Sequence, residues 1–460
     1  MKRTLRSAVT LVASLSLLAA ACGDDDDAAS GDATDAPADP TDAPTDGTTA
    51  PADEGGGEDV TLTLLIDNTE VTVAQTDALT QAFTELHPNI TFDIEQRPGG
   101  GDGDNIVKTR LSTESMSDVF FYNSGSLLQA LNPEESILDL TGDPMLDNVV
   151  DAFFPSVTQN DKVFGVPFGT GMGGGIFYNK KIYEENGLSV PTTWEEFAAN
   201  NDKLLAAGIT PVGASYAAGS TWTSQLFVLA DFYNVAQAEP TFAEDYTANK
   251  VKYATTPAAV RGFEHLQEGF DKGWWNEDYG SATYEDALQM LADGEIAHYP
   301  MLTFAVSAIA ALNEEAAQDL GFFAQPGDDA ATNGLTLWEP AGAYIAANTD
   351  HPEEAKQFLA FVASVPGTEA MTAGSPPAGP YLVEGATLPD DVLPAIKDLQ
   401  AYVDAGKAGP ALEFLSPVKG PNLEFITVEV GSGLKSAADA AASYDEDVEK
   451  QAQQLGLPGW

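Results

Sequence analysis

The chain has 460 residues, of which 43% are hydrophobic, 71 are Asp or Glu and 20 are Lys or Arg, for a formal net charge of -51. Acidity on this scale repels phosphate backbones, so nucleic-acid partners are excluded. The only stretch apolar enough to enter a bilayer, Val9 to Ala21, is 13 residues long, short of the roughly 20 that a spanning helix needs. It reads as a targeting segment.

In chain order, Lys2, Arg3 and Arg6 form a positive n-region, Val9 to Leu18 an apolar h-region and Ala19 to Ala21 a small-residue cleavage site. Cys22, the single cysteine, follows at once. The remainder has no thiol, which excludes disulfides, thiolate zinc sites and cysteine nucleophiles. Gly23 to Asp59 is rich in Ala, Asp, Thr, Pro and Gly, contains no aromatic or basic residue and holds 13 acidic ones. Such a segment buries too little apolar surface to offset its ordering entropy and is expected to be a tether. From Val60 onward 58 acidic side chains face 17 basic ones. This excess reads as a solvated, salt-adapted surface, with a cationic ligand as the alternative.

The body of about 400 residues exceeds what one core serves, so two lobes are expected. Strand-like runs at Val60 to Ile66, Ile90 to Gln96, Asp118 to Asn123 and Gly174 to Asn179 alternate with helical patterns at Thr76 to Leu86, "TTWEEFAANNDKLLAAG", "YEDALQMLADG" and "PEEAKQFLAFVAS". That alternation predicts α/β lobes on largely parallel sheets.

No catalytic or metal motif stands out. His87, His265, His298 and His351 are scattered, and no metal site or cofactor is implied. "GTGMGG" satisfies G-x-G-x-x-G but precedes the strand-like "IFYNKK" and not a helix, so flexibility at a crossover explains it better. The carboxylate pairs Glu134-Glu135, Glu195-Glu196 and Glu353-Glu354 lie in a loop or at helix starts. Only Glu339, in "LWEPAG", lacks a helical reason. Trp222, Trp274, Trp275 and Trp338 sit beside turn residues, where an indole offers stacking area and its surroundings supply hydrogen bonds, as a polyhydroxylated ring requires.

The segment Phe168 to Val212, "FGTGMGGGIFYNKKIYEENGLSVPTTWEEFAANNDKLLAAGITPV", resembles the extracellular solute-binding proteins of carbohydrate ABC importers (family 1). "LTQAFTELHPNI", "SMSDVFFYNSGSL", "MLADGEIAHYPM" and "YIAANTDHPEEAKQFLAFVAS" agree, and the resemblance covers most of Val60 to Gly379. Leu302, Phe304 and Leu337-Trp338 depart from the family pattern. "LLAAAC" followed by Gly23 resembles a bacterial lipobox, with Ala19 where Leu is preferred, and marks Cys22 for lipid attachment.

The resemblance implies an α/β fold of two lobes, the periplasmic-binding type II architecture, with a hinge and an interlobe ligand cleft. It divides the chain into a signal peptide at 1–22, an acidic linker at 23–59, one lobe from 60–168 plus 298–350 and another from 169–297 plus 351–460. Crossovers are expected near Phe168 to Gly173, Ala297 to Pro300 and Asn348 to Pro352. Loops beyond the strand carboxyl ends would then line the cleft. The expected ligand contacts are Asn68, Glu70, Tyr122, Asn123 and Ser124 from the first lobe, Trp222 and Trp275 from the second, and Met172, Tyr299, Phe304, Trp338 and Glu339 near the crossovers. The implied function is capture of a sugar or oligosaccharide by a monomeric, non-enzymatic lipoprotein on the outer face of the cytoplasmic membrane, which delivers it to an ABC permease. An envelope glycoside hydrolase or transglycosylase with an Asp/Glu pair, and the same fold binding a polyamine or other cation, are the alternatives.

Overall fold

The computed structural model describes residues 58–460; the signal-peptide reading, Cys22 and almost all of the expected linker lie outside them. The strands are β1 (Val60–Asp67), β2 (Ile90–Arg97), β3 (Val119–Tyr122), the ribbon of β4 (Thr158–Gln159) and β5 (Lys162–Val163), β6 (Gly165–Phe168), β7 (Met172–Asn179), β8 (Thr210–Val212), β9 (Ile296–Leu302), β10 (Leu320–Ala324), β11 (Leu335–Trp338), β12 (Ala341–Ile345) and β13 (Ala408–Pro410). They build two larger sheets. The first has the order β2-β1-β3-β12-β6; the second runs β13-β11-β7-β9-β8, with β10 also on β7.

Local sequence explains the helices between them. Thr193 and Glu196 form a capping box at the start of Trp194–Ala206, and Thr283 with Asp286 does the same for Tyr284–Asp293. Pro257 and Pro352 open their helices, where a missing N–H costs nothing. The helices Glu70–Leu86, Pro352–Val362 and Val365–Gly374 bury Phe83, Phe358 and Met371 in one core with Leu62, Leu64 and Phe120 of the first sheet. The second sheet is covered on both faces. Trp194, Phe263 and Tyr444 pack with Ile176 in one cluster, and Leu291, Ile309 and Leu399 with Phe177 in another.

Two expectations need correction. The first sheet is parallel from β2 to β3, but β7 runs antiparallel to β9, β10 and β11. The reason is that β7 is the continuation of β6: it leaves one sheet and enters the other running outward. The expected second and third crossovers are also displaced. β9, β10 and β11 all belong to the second sheet, and the chain returns to the first only between Trp338 and Ala341. Pro352–Val362 then packs on the first core and not on the second, because its Phe358 and Leu359 complete the apolar face over β1 and β3. The final passage lies beyond Gly374: Val383 bridges to Val149 of the first half, and Leu388 and Leu393 pack against the second.

The three crossing segments, 169–171, 339–340 and 375–388, lie side by side. Trp338 is in register with Met172 and Ala341 with Phe168. On the other flank the Gly171 N–H donates to the Pro380 carbonyl at 2.8 Å, and the Ala378 N–H donates to the Thr170 hydroxyl at 3.2 Å. Gly169 has φ +86°, a left-handed value that glycine adopts without a side-chain penalty. The following glycines serve another purpose: Gly174 leaves room for the Trp338 indole, and Gly173 and Gly175 for the Phe322 ring.

Candidate functional site

The strand directions bring the loops of both sheets to the crossover. β1, β2 and β3 are mutually parallel, while β6 and β3 are each antiparallel to β12, so all four carboxyl ends lie where β12 begins. Asn68 and Glu70 after β1, Asn123 and Ser124 after β3, and Glu339 and Pro340 before β12 therefore share one edge. In the second sheet β9 and β11 run antiparallel to β7 and end at its start, bringing Leu302, Trp338 and Met172 together. This juncture of two sheet edges is the candidate site.

On the first side Asn68, Glu70 and Asn123 are exposed. Glu70 opens Glu70–Leu86 directly after Thr69, whose hydroxyl caps the helix. Ser124 is buried, and its hydroxyl donates to the Pro340 carbonyl at 2.9 Å, pinning β3 to the crossover. Tyr122 is 1% exposed, with the Arg97 guanidinium 5.4 Å from its ring centre. It belongs to the sheet and not to a ligand surface, because it is the last residue of β3 and its ring is covered by the neighbouring strand.

On the second side the half-buried Trp222 ring lies 5.3 Å from Tyr284 and 6.3 Å, nearly parallel, from Phe304, which is 36% exposed. Tyr284 and Phe304 are 6.2 Å apart. Three rings thus form one partly open apolar face immediately after β9. Trp338 reaches the same edge but is 7% exposed: its ring covers Gly174 and joins a small cluster with Ala230, Ala411 and Phe414, against which Met172, Leu229 and Leu302 pack. Two other candidates are core residues. Tyr299 is 1% exposed and its hydroxyl pairs with Ser215 at 2.8 Å; Trp275 donates its indole N–H to the Gly431 carbonyl at 3.0 Å and packs near Phe227. Each indole or phenol there has found a partner, so neither remains for a ligand.

Glu339 is 9% exposed, and burial alone pushes its carboxyl up to about 8. His298, the histidine nearest the crossovers in sequence, is buried between the Tyr183 hydroxyl at 2.7 Å and the Pro211 carbonyl at 2.8 Å; burial pushes its imidazole down to about 3. It is structural. No group of His, Cys, Asp and Glu able to hold a metal occurs among the described residues.

Sequence reasoning missed Tyr284, Phe414 and Thr303. Tyr284 had the signal of a helix start and served only as that. Phe414 approaches the first half: a Cβ added at Gly125 would stand 2.8 Å from the Phe414 Cδ1. Thr303 is fully buried; its hydroxyl donates to the Ala378 carbonyl and accepts from the Gly173 N–H. A threonine between Leu302 and Phe304 gives no hint of this, since both partners are remote in sequence.

The family described as bacterial extracellular solute-binding protein matches residues 67–369. A multiple sugar-binding protein of Streptococcus mutans is 27% identical over 290 residues, 61% of this chain and 66% of that protein. An uncharacterised ABC transporter extracellular-binding protein of Pyrococcus horikoshii is 22% identical over 285 residues, 62% of this chain and 64% of that one. The matched region therefore spans just under two thirds of either relative. Among solved structures, a chitin oligosaccharide binding protein aligns with TM-score 0.72 at 22% identity, over 86% of this chain and 100% of the other. The solute-binding protein RafE in complex with raffinose aligns with TM-score 0.69 at 22% identity, over 85% and 100%. These likenesses establish the fold, an α/β architecture of the periplasmic-binding type. No helix among the described residues is long and apolar enough to cross a membrane. Matched by the family over more than half its length, from β1 to the helices that complete the first core, the chain belongs to the bacterial extracellular solute-binding proteins.

Proposed function

We propose that this chain captures a sugar or oligosaccharide at the juncture of its two halves and delivers it to an ABC permease, held near that permease by lipid on Cys22. The observation that carries the reading is the asymmetry of the two edges. One offers the open aromatic face of Trp222, Tyr284 and Phe304; the other offers the exposed polar groups of Asn68, Glu70 and Asn123. A pyranose has an apolar C–H face and a polar rim, and these two surfaces match them. The named relatives that bind sugars support the same choice of ligand.

A ligand touching both edges stabilises the arrangement in which they are close, so capture shifts the population of the two-half protein. One stacked ring and several hydrogen bonds suffice for a micromolar complex of about -8 kcal/mol after closure costs. Trp338 and Met172 support the floor beneath this face. Lipid on Cys22 would keep the receptor at the membrane, with more than one acyl chain needed for a durable anchor.

The test is calorimetry and tryptophan fluorescence against a panel of neutral oligosaccharides, with chromatography of the sugar afterwards. Binding with the sugar recovered intact is expected. Cleaved products would replace the receptor with a hydrolase, and silence across the panel would reject the reading. For the anchor, Cys22→Ser is expected to move the protein from the membrane to the soluble fraction.

A further inference from the structure

Glu339 and Pro340 are the whole of one crossing segment, between the last residue of β11 and the first of β12. Rotation of the halves must pass through them. Yet Glu339 is nine-tenths buried, and its carboxylate receives no hydrogen bond and no ion pair from any described residue. A carboxylate without partners is costly to bury, whereas the neutral acid is not.

The charged groups on the surrounding elements do not relieve it. Asp67, at the end of β1, accepts from Thr69 and Thr72. Glu70 is exposed beyond it. Glu413 and Lys419, after β13, are paired with each other at 2.8 Å. Arg97 lies over Tyr122. None contributes to the raised affinity of Glu339 for its proton, which comes from burial alone.

We propose that Glu339 is a proton-operated catch on the crossover. As the neutral acid it favours the arrangement described here, where it is buried; on ionising it favours an arrangement in which the halves rotate apart and water reaches it. The proposal rests on the reading that the two halves move to capture a solute, and adds a control on that motion. The sign follows from linkage. The buried form holds its proton up to about pH 8, while a hydrated glutamate releases it near the ordinary value of 4.5. Opening therefore becomes easier as pH rises between those values, by up to about tenfold per pH unit, and is insensitive to pH outside them.

The experiment is small-angle scattering of the full chain carrying Cys22→Ser, without ligand, from about pH 5 to about pH 9 in high salt to screen the net charge. The radius of gyration is expected to grow with pH in the parent and to stay at its low-pH value in Glu339→Gln. Asp231 is a necessary control, because burial also pushes its carboxyl up to about 8; Asp231→Asn should keep the parent's response. The same growth in Glu339→Gln, or loss of the response in Asp231→Asn, overturns the catch. The parent series decides even where a variant does not fold: a flat profile rejects the proposal. A parent that compacts with saccharide but ignores pH retains the capture reading and loses the catch. One that responds to neither loses both.

Discussion

The Thr303 hydroxyl donates to the Ala378 carbonyl at 2.6 Å while accepting from the Gly173 N–H at 2.9 Å. One buried side chain thereby fastens the last crossing segment to the strand that begins at the first. Thr303→Val keeps the shape and removes both bonds, leaving a buried N–H and a carbonyl without their partner. A loss of about 2 kcal/mol in unfolding free energy is expected from urea titration. An unchanged midpoint would mean that the segments are held by the backbone bond from Gly171 to Pro380 alone.

Gly125 and Phe414 are the corresponding contact between the halves away from the crossovers. Gly125 has φ 68° and ψ -137°, a combination open to glycine and strained for other residues, and its missing Cβ is what admits the Phe414 ring and the Glu413 carbonyl. Gly125→Ala should therefore cost about 2 kcal/mol or more through backbone strain alone. Phe414→Ala relieves the contact without the strain, so a double variant that recovers less than the sum separates the two effects in a thermodynamic cycle.

The aromatic residues make opposite predictions according to burial. Trp338 covers Gly174 and packs with Phe414, so Trp338→Ala leaves a void and should cost about 3 kcal/mol of stability. Trp222 is half-buried and its face with Phe304 is partly open. Trp222→Ala is expected to weaken saccharide binding more than about tenfold, the value of losing one stacked ring, with little change in melting temperature. Equal affinity in Trp222→Ala would remove the ring from the site.

Why these tryptophans could not be ranked from sequence is instructive. Each sits beside turn residues, and that much was legible. What buries Trp338 is the absence of a side chain at Gly174, which lies far away in the chain and meets it only through the β7–β11 register. Trp275 is consumed by a carbonyl at Gly431 in the same way. Elements with strong local signals, such as β1, β2, the capped helix Trp194–Ala206 and Tyr284–Asp293, fall where periodicity and caps set them. The crossovers beyond Phe168 do not, because β9 carries a continuously apolar pattern that fits either sheet, and only pairing with β7 decides. Asn68, Asn123 and Glu339 were legible as loop residues beyond strand ends, the one site rule that depends on topology and not on packing.

Asp118 gives a prediction with the opposite pH sign to that of Glu339. It lies just before β3 and receives the Thr63 N–H at 2.8 Å, the Thr63 hydroxyl at 2.7 Å and the Thr349 hydroxyl at 2.6 Å, tying β1 and the loop after β12 to β3. Partial burial would raise its carboxyl, but hydrogen bonds from Thr349 and Thr63 outweigh it, and the group is held below the ordinary carboxylate range. A lowered folded value means that the ionised form stabilises the fold above the ordinary value of 3.8 and that this contribution fades as pH falls through the folded one. Because the group is more than a third exposed, screening limits the effect to about 1 kcal/mol. Asp118→Asn should accordingly be less stable than the parent at neutral pH by that amount, and the two urea midpoints should converge on acidification below the ordinary carboxylate range. A gap that persists undiminished in acid would assign the role of Asp118 to the shape of its side chain and not to its charge.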